Sequence, residues 1–532
     1  MFLNLALAWK RLRSEIKDRG FVVPPFEVGL IENKLQDWLA TMHLKLVQNV
    51  YNPTTPEICD VPKGKHLVRP GTLLSTDDLL VYYGIMGGMF DAIHDRVDWA
   101  RYKIDCSNIM NRAEGDWILS YYPGWSNFRT KSLSLIKEYK YVVVTDISGF
   151  FENIDHAVLL SDVRSTGVDE DYIKLLRTCL DTWAMIPGKG LPQGCVPSDL
   201  LAKLYLDSLD KLLYNEGYKH ARYVDDIRIF CSSYQDAKRA IVFLASAMRK
   251  KGLILHSGKT EILDAEEAKY SFEHIDNIIA DVTERAKQKK PVILKPVVLM
   301  PDDYNRVMVE EDPPVIIKPV HLKATPIDII KEAFSQHILA DPKVYNKTIY
   351  HFLLKRLGEA KDDFAADHCV YMLSEHPEET GNVLAYLDSI DYPRANSIIG
   401  SYFCSEETVY CYQNYQLITW LNNRENVILP WDVVCRIRAI AFNPQSPRYL
   451  KSVARKFIGN HGDISDFERL EELCKTATEL EQAELICCLV KHEKGRRNTV
   501  FKRLENVSYH NKSAISYVSD TENRLKMKTR RK

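Results

Sequence analysis

The stretch Tyr223-Val224-Asp225-Asp226 places two adjacent carboxylates between apolar and β-branched segments. Residues 221–224 precede the pair, and Ile227-Arg228-Ile229-Phe230-Cys231 follows it. Apolar runs on both sides of an acidic pair predict two short strands joined by a tight turn, with carboxylate oxygens at its tip. An isolated Asp-Asp pair is more often a solvated turn, so the interpretation requires a second observation.

A second acidic position follows a buried-strand pattern earlier in the chain. The run Tyr141-Val142-Val143-Val144-Thr145 delivers Asp146 at its C-terminal end. Two strands can thus bring Asp146 and Asp225 together. Paired carboxylates suit Mg²⁺, which takes a few hard oxygen ligands from the protein. Two such ions about 3.5–4 Å apart would stabilise the attacking and leaving oxygens of a displacement at phosphorus.

A third feature lies between these acidic segments, at Gly190-Leu191-Pro192-Gln193-Gly194-Cys195-Val196-Pro197-Ser198. Gly and Pro predict a turn with Gln193 at its apex, and Ser198 is placed to cap the helix that follows. The stretch Gly252-Leu253-Ile254-Leu255-His256-Ser257-Gly258-Lys259-Thr260 comes after the acidic pair.

Taken in this order, the four segments resemble the palm motifs of reverse transcriptases, the RNA-directed DNA polymerases. The resemblance extends over about residues 60–263. It implies that Asp146, Asp225 and Asp226 form the catalytic site and hold two Mg²⁺ ions, with Asp146 and Asp225 preferred as direct ligands. The backbone carbonyl of Ile147 is implied as a further ligand.

The resemblance also implies which nucleotide is used. Phe151 lies where the family places an aromatic side chain that collides with a ribose 2′-OH. A hydroxyl left without a hydrogen bond would cost about 1–3 kcal/mol, so dNTPs are the expected substrates. Taken alone, Phe151 is more simply a core residue. Gln193 and Gly194 are expected to shape the pocket for the dNTP or the base pair.

Several cations and one aromatic residue are expected to contact substrate. Arg69 can bind phosphate bidentately, whereas Lys63 or Lys65 would act as point charges in the fingers region. Lys259 is placed to protonate the leaving pyrophosphate. Solvated charges are the alternative for all four. The nucleic-acid contacts are expected from Arg222 and Tyr223, and the aromatic and basic stretch 121–129 suggests either base stacking or a packed turn.

Length and composition limit the classes of protein in which these motifs can occur. At 532 residues the chain is expected to form two or three domains. The 71 basic and 72 acidic residues exclude a uniformly basic, nucleic-acid-coating protein, so a binding groove must be locally basic. The 12 cysteines lack zinc-site spacing and predict reduced, buried thiols. No secretory signal or membrane span is recognisable, and a cytoplasmic location without a membrane partner is expected.

The expected fold class is α+β, a right-hand polymerase fingers and palm domain followed by an all-α, HEAT-like helical-repeat domain. Pro residues interrupt the segment between them, which predicts a connection or irregular strands. The expected domains are an N-terminal helical segment at 1–50, the fingers and palm at 51–264, a connecting segment at 265–326, the helical domain at 327–510 and a basic tail at 511–532.

A palm followed by a long helical region resembles the bacterial abortive-infection and defence-associated reverse transcriptases. The resemblance implies antiphage defence, a homo-oligomer, a DNA product and, in several members, synthesis without a conventional template. In some members a Tyr hydroxyl replaces the primer 3′-OH, and in others a noncoding RNA is copied. The 28 Tyr residues do not select a priming residue.

Two alternatives stay open at this point. One is a templated retron-like or intron-like reverse transcriptase that works with a partner RNA. The other is a helical scaffold that binds nucleic acid without catalysis. The adjacent carboxylates count against the scaffold, because like charges held side by side repel and serve no purpose there.

Overall fold

A computed structural model describes residues 3–19, 22, 25–64, 66–112, 115–119, 121–288, 326–341, 346–390, 392–405, 407–424 and 429–530. The chain divides into two compact units. The first comprises Met1–Tyr270, Ser374–Thr380 and Ile399–Lys532, and the second comprises Ser271–Leu373 and Gly381–Ile398. The boundary expected at residue 327 therefore does not coincide with a boundary between units.

The first part of the chain is helical apart from one hairpin. Helix α1 buries Leu5, Ala8 and Leu12 along one face, as its periodicity predicts. Helix α4 begins after Ser75, whose hydroxyl accepts a hydrogen bond from the Asp78 N–H at 3.1 Å. The elements are α1 (Leu5–Arg19), α2 (Glu27–Asn33), α3 (Leu35–Val47), β1 (Glu57–Lys63), β2 (Leu67–Leu73), α4 (Thr76–Val97) and α5 (Tyr121–Ile136).

The central sheet has four strands in the order β4-β5-β3-β6, and every neighbouring pair is antiparallel. Its strands are β3 (Tyr141–Thr145), β4 (Lys219–Tyr223), β5 (Asp226–Cys231) and β6 (Glu261–Asp264). The register pairs Thr145 with Ile227 and Tyr223 with Asp226. The end of β3 and the β4–β5 turn therefore lie at the same edge of the sheet, as the sequence predicts.

Five helices connect these strands or pack on the sheet. They are α6 (Phe150–Asn153), α7 (His156–Arg164), α8 (Glu170–Trp183), α9 (Val196–Asn215) and α10 (Tyr234–Lys250). The prediction that Ser198 caps α9 is wrong, because the helix begins at Val196 and its N-cap is Cys195. The buried Ser198 hydroxyl instead bonds the Tyr82 hydroxyl at 2.9 Å.

The remainder of the described chain is helical, as the periodicity after residue 327 predicts, but a HEAT-like repeat is not confirmed. The first part of the expected connecting segment forms a single helix, α11, and its Pro-rich part at 289–325 lies outside the described residues. The later helices are α12 (Pro326–Phe334), α13 (Lys347–Glu359), α14 (His368–Glu375), α15 (Thr380–Leu387), α16 (Tyr392–Cys404), α17 (Cys411–Asn422), α18 (Trp431–Phe442), α19 (Arg448–His461), α20 (Ile464–Leu473), α21 (Glu479–Cys488), α22 (Lys494–Leu504) and α23 (Tyr509–Arg530), with α11 at Ala265–Gln288.

Within the first unit, the end of the chain packs on its beginning. The Tyr509 hydroxyl donates to the Lys34 carbonyl at 2.7 Å, and the Ser513 hydroxyl donates to the Leu30 carbonyl at 2.8 Å. At the start of α19, the Arg448 N–H donates to Glu57 Oε1 of β1 at 2.7 Å. The segment expected as a basic tail thus contributes helix α23 to the unit that contains the central sheet.

The cysteines agree with the expectation of reduced, buried thiols. All twelve cysteines are free thiols, and most of them are buried. Across the described parts of the chain, every helix is too short or too polar to span a bilayer.

Candidate active site

Two carboxylates meet at one edge of the central sheet. Asp146 follows β3 and is 8% exposed, and Asp225 lies in the turn between β4 and β5. Burial and the neighbouring Asp146 carboxylate, which hydrogen-bonds Asp225, raise the pKa of Asp225 to about 6. The structure therefore brings these two predicted site residues into direct contact.

Asp226, the third carboxylate, has a different environment. Its Oδ1 lies 3.4 Å from Nη1 of Arg228 on the same strand. Burial raises the pKa of Asp226, and the Arg228 cation opposes part of that rise. Asp226 therefore has a cationic partner on its own strand, as Asp146 has in Lys259.

The turn that carries Asp225 is strained. Val224 has φ +56°, a left-handed conformation that β-branched residues rarely adopt. The Arg222 Nη1 donates a hydrogen bond to the Val224 carbonyl at 2.9 Å. This contact fixes the peptide immediately before Asp225.

Arg222 is itself held by a buried charge network. Its side chain is 2% exposed and donates to Asp210 Oδ2 at 2.6 Å and to Asp105 Oδ2 at 2.7 Å. Lys203 donates to the same Asp105 oxygen at 2.6 Å. Burial alone would raise the pKa of Asp105, but the Arg222 and Lys203 cations outweigh burial and hold it at about 2. The structure thus places Arg222 in the interior and not at a surface that nucleic acid can reach.

Cations approach the carboxylate edge from two directions. The Lys259 ammonium forms an ion pair with Asp146 Oδ2 and stays 53% exposed. Lys63, at the end of β1, is near enough for electrostatic interaction with both Asp146 and Asp225. Burial lowers the pKa of Lys63, and the cations of Arg69 and Lys259 lower it further. Lys65 lies outside the described residues.

The donors at this edge fit a divalent cation. Asp146 and Asp225 offer hard carboxylate oxygens, and their mutual repulsion is relieved by positive charge, which the Lys259 ammonium partly supplies. Among the described side chains, no group of three or more His, Cys, Asp or Glu residues is already arranged as a metal site. A metal would therefore complete its coordination with backbone, water or phosphate oxygens, as Mg²⁺ commonly does.

Phe151 and Gln193 lie in adjoining backbone segments. The Leu191 N–H donates to the Phe151 carbonyl at 2.9 Å, which fastens the turn to α6. Gln193 exchanges hydrogen bonds with Thr72 of β2, and its side-chain amide donates to Glu152 Oε1 at 3.4 Å. A cavity of about 100 Å³ lies between these segments and is lined by Thr72, Glu152 and Gln193.

The two remaining predicted residues of this pocket are also located. The Phe151 ring is half-buried and packs edge-on against Phe150, with 5.4 Å between ring centroids. Gly194 has φ +108°, a conformation that favours glycine in the turn. Gln193 thus lines the cavity of about 100 Å³, whereas Gly194 lines a second cavity with Cys195 and Thr72.

The sequence interpretation did not assign a role to Arg228, Asp105 or Lys203. Arg228 carries a signal that could have identified it, because it shares one face of β5 with Asp226, opposite the buried Ile227 and Ile229. Asp105 and Lys203 carry no such signal, since their partner is distant in the sequence.

Part of the sequence matches a known protein family. Residues 89–271 match the family model described as "Reverse transcriptase (RNA-dependent DNA polymerase)". No curated protein matches the sequence.

Among solved structures, this chain is similar to telomerases from two yeasts. A Candida tropicalis telomerase truncated from its C-terminal domain is 11% identical, with a TM-score of 0.30 over 40% of this chain and 50% of that one. The apo C. tropicalis telomerase is 10% identical, with a TM-score of 0.31 over 88% of this chain and 69% of that one. The Candida albicans telomerase with a TWJ fragment of telomeric RNA is 10% identical, with a TM-score of 0.30 over 84% and 71%. This chain thus spans half of the truncated C. tropicalis telomerase.

Proposed function

We propose that this chain, which contains a reverse transcriptase domain at residues 89–271, is an RNA-directed DNA polymerase that joins dNTPs by phosphoryl transfer. The observation that carries the proposal is the position of Asp225 beside Asp146, where burial and the Asp146 carboxylate raise the pKa of Asp225 to about 6. Two buried carboxylates that repel each other destabilise a fold unless a cation is bound between them. A cation-binding edge beside a cluster of Lys and Arg suits a triphosphate substrate.

In the proposed reaction, a primer 3′-oxygen, or a Tyr oxygen, attacks the α-phosphorus of a dNTP. The bond to pyrophosphate breaks, and the hydroxyl proton passes to solvent. Asp146, Asp225, Asp226 and the Ile147 carbonyl would hold two Mg²⁺ ions, which when bound stabilise charge on the attacking and leaving oxygens.

The surrounding residues bind and orient the triphosphate. Lys63 and Arg69 extend from the β1–β2 hairpin, and Arg69 would contact phosphate oxygens in pairs. Lys259, which pairs with Asp146, would donate a proton to the leaving pyrophosphate. Gln193 and Gly194 would limit the space available to the incoming base.

Phe151 would select deoxyribose. We expect Phe151→Ala to raise incorporation of rNTPs relative to dNTPs by about 5- to 150-fold, because the smaller side chain leaves room for water to hydrogen-bond the ribose 2′-OH and so removes about 1–3 kcal/mol of discrimination. The measurement is kcat/KM for each nucleotide on the same primer–template. Phe150→Leu, which alters the buried neighbour, serves as the control and should change the ratio little. An unchanged ratio in Phe151→Ala would show that Phe151 is only a packing residue.

The biological setting that we propose is antiphage defence by abortive infection, in the cytoplasm and as a homo-oligomer. The support for it is the order of elements along the chain, a palm-like sheet followed by a long helical region. A noncoding RNA template, a conventional primer and a protein primer are all compatible with this setting.

The first experiment incubates nuclease-treated protein with Mg²⁺ and labelled dNTPs, without template or primer, and then with RNA added. We expect DNA synthesis under at least one of these conditions. Product that stays with the denatured protein and is released only by protease supports protein priming, whereas product that requires RNA supports templated synthesis. Asp225→Asn is the matched control. Equal synthesis by the variant, or none by the wild type under any condition, would favour the non-catalytic scaffold.

A further inference from the structure

An exposed tryptophan lies beside the catalytic hairpin. Trp125 of α5 is 44% exposed, and its ring contacts the edge of Tyr223 with 5.2 Å between centroids and 85° between planes. The fully buried Phe128 contacts both rings, at centroid distances of 5.6 and 5.9 Å. The three rings form an aromatic cluster that has one face open to solvent.

The position of Trp125 is fixed by unusually close packing. A Cβ on Gly124 would collide with the Cys106 carbonyl oxygen and lie 3.5 Å from the Tyr223 ring. The Cys106 N–H in turn donates to the Arg222 carbonyl at 3.0 Å, which attaches this segment to β4. Helix α5 therefore holds Trp125 against the hairpin through backbone contacts, and a rigid aromatic surface loses little freedom when it binds a ligand.

We propose that Trp125, supported edge-on by Tyr223, forms a stacking platform for the base of the primer's terminal nucleotide. The inference rests on the proposed function. Tyr223 lies two residues before Asp225, so the platform adjoins the carboxylates at which the primer 3′-oxygen reacts. Every nucleobase has a flat π face, so an aromatic platform holds the terminal nucleotide regardless of sequence.

A cation lies beside the aromatic cluster. The Arg228 guanidinium is 5.8 Å from the centroid of the Phe128 ring, and its Nη1 is 3.4 Å from Asp226 Oδ1. This charge favours nucleic acid over an apolar protein partner, because proteins combine cations with a stacking surface where they bind single strands and strand ends.

The test measures binding without turnover, in the Asp225→Asn background and with a fluorescein-labelled primer–template. One version of the primer carries its 3′-terminal base, and the other has an abasic 3′-terminal residue. We expect Trp125→Ala to weaken binding of the intact primer by about 10- to 100-fold, and Trp125→Phe to retain most of the affinity. The losses of affinity caused by Trp125→Ala and by the abasic terminus should not add, because both changes remove the same contact. Trp431→Ala is the control, since Trp431 is 65% exposed on α18.

Each result separates this inference from the proposed function. The platform would be overturned if Trp125→Ala left the affinity for the intact primer unchanged. It would also be overturned if the losses of affinity from Trp125→Ala and from the abasic terminus were additive. Both conclusions hold even if the wild type extends primers. Non-additive losses in a protein whose wild type synthesises no DNA, with or without added primer and RNA, would support the platform and contradict the polymerase. Absence of primer binding by the Asp225→Asn protein would overturn the platform, and wild-type extension would then be judged separately.

Discussion

Asp225→Asn will lower DNA synthesis by about a thousand-fold or more, because it removes a charged ligand from a site that supplies several kcal/mol of charge stabilisation. The same substitution will stabilise the fold when divalent cations are absent. The pKa of Asp225 is raised from 3.8 to about 6, so the ionised carboxylate is disfavoured in the folded state. The penalty is present above pH 6 and vanishes as the pH falls below the unfolded value. Urea unfolding with EDTA should show a gain of about 1–3 kcal/mol at pH 8 and none at pH 3.5.

Asp226→Asn is the matched control for this prediction. Asp226 is paired with Arg228 and its side chain is 42% exposed, so its loss of synthesis should be smaller than that of Asp225→Asn. Wild-type synthesis by Asp225→Asn, or identical losses in both variants, would contradict the assignment of Asp225 as the more direct ligand.

Arg222→Met will destabilise the protein by about 3–5 kcal/mol at pH 7, because it leaves the buried Asp105 and Asp210 carboxylates short of positive charge. Synthesis should also fall in the fraction that stays folded, since the Val224 carbonyl loses its hydrogen bond. The unfolding free energy and the kcat of the folded fraction measure the two effects.

The pH dependence identifies the cause of that loss. In the wild type the pKa of Asp105 is held at about 2, so its stabilising contribution persists above pH 4 and is lost only as the pH falls towards 2. Without Arg222, burial raises the pKa values of both carboxylates, and the folded variant binds protons more readily than the unfolded chain. The difference in unfolding free energy between the wild type and Arg222→Met should therefore become smaller as the pH falls from 7 to 4.5. Arg239→Met is the control, because the Arg239 side chain is 71% exposed. It should lower the unfolding free energy by less than about 0.5 kcal/mol. A loss equal to that of Arg222→Met would contradict the stabilising role of the buried charge network.

The sequence predicted the parts of the site that depend on local pattern. The apolar run at 141–145 and the runs around the acidic pair formed strands β3, β4 and β5, and antiparallel pairing placed Asp146 beside Asp225. Local sequence predicts these features because a buried strand requires consecutive apolar residues, whereas a tight turn contains few apolar residues. Roles for individual side chains beyond the carboxylates stay predictions.

The remaining features depend on partners that local pattern does not reveal. Local pattern predicts that Arg222 is an exposed cation. Its partners Asp105 and Asp210 come from other segments of the chain, however, and Arg222 is buried between them. Ser198 resembles a helix cap, but Pro197 in the first turn allows the helix to begin earlier. Periodicity likewise predicts the C-terminal helices without showing that residues after 399 share a unit with the sheet.

The contact between Glu57 and the Arg448 backbone has a consequence for synthesis of the chain. These residues are 391 positions apart, and helix α17 also packs on β1. At about 5–20 residues per second, the ribosome exposes the β1–β2 hairpin for roughly 20–80 s before its packing partners emerge. The nascent chain therefore carries Cys59, which is fully buried in the finished protein, open to solvent and to chaperones throughout that interval. The unit that contains the central sheet can reach its final form only after Tyr509 and Ser513, which bond the Lys34 and Leu30 carbonyls, have emerged.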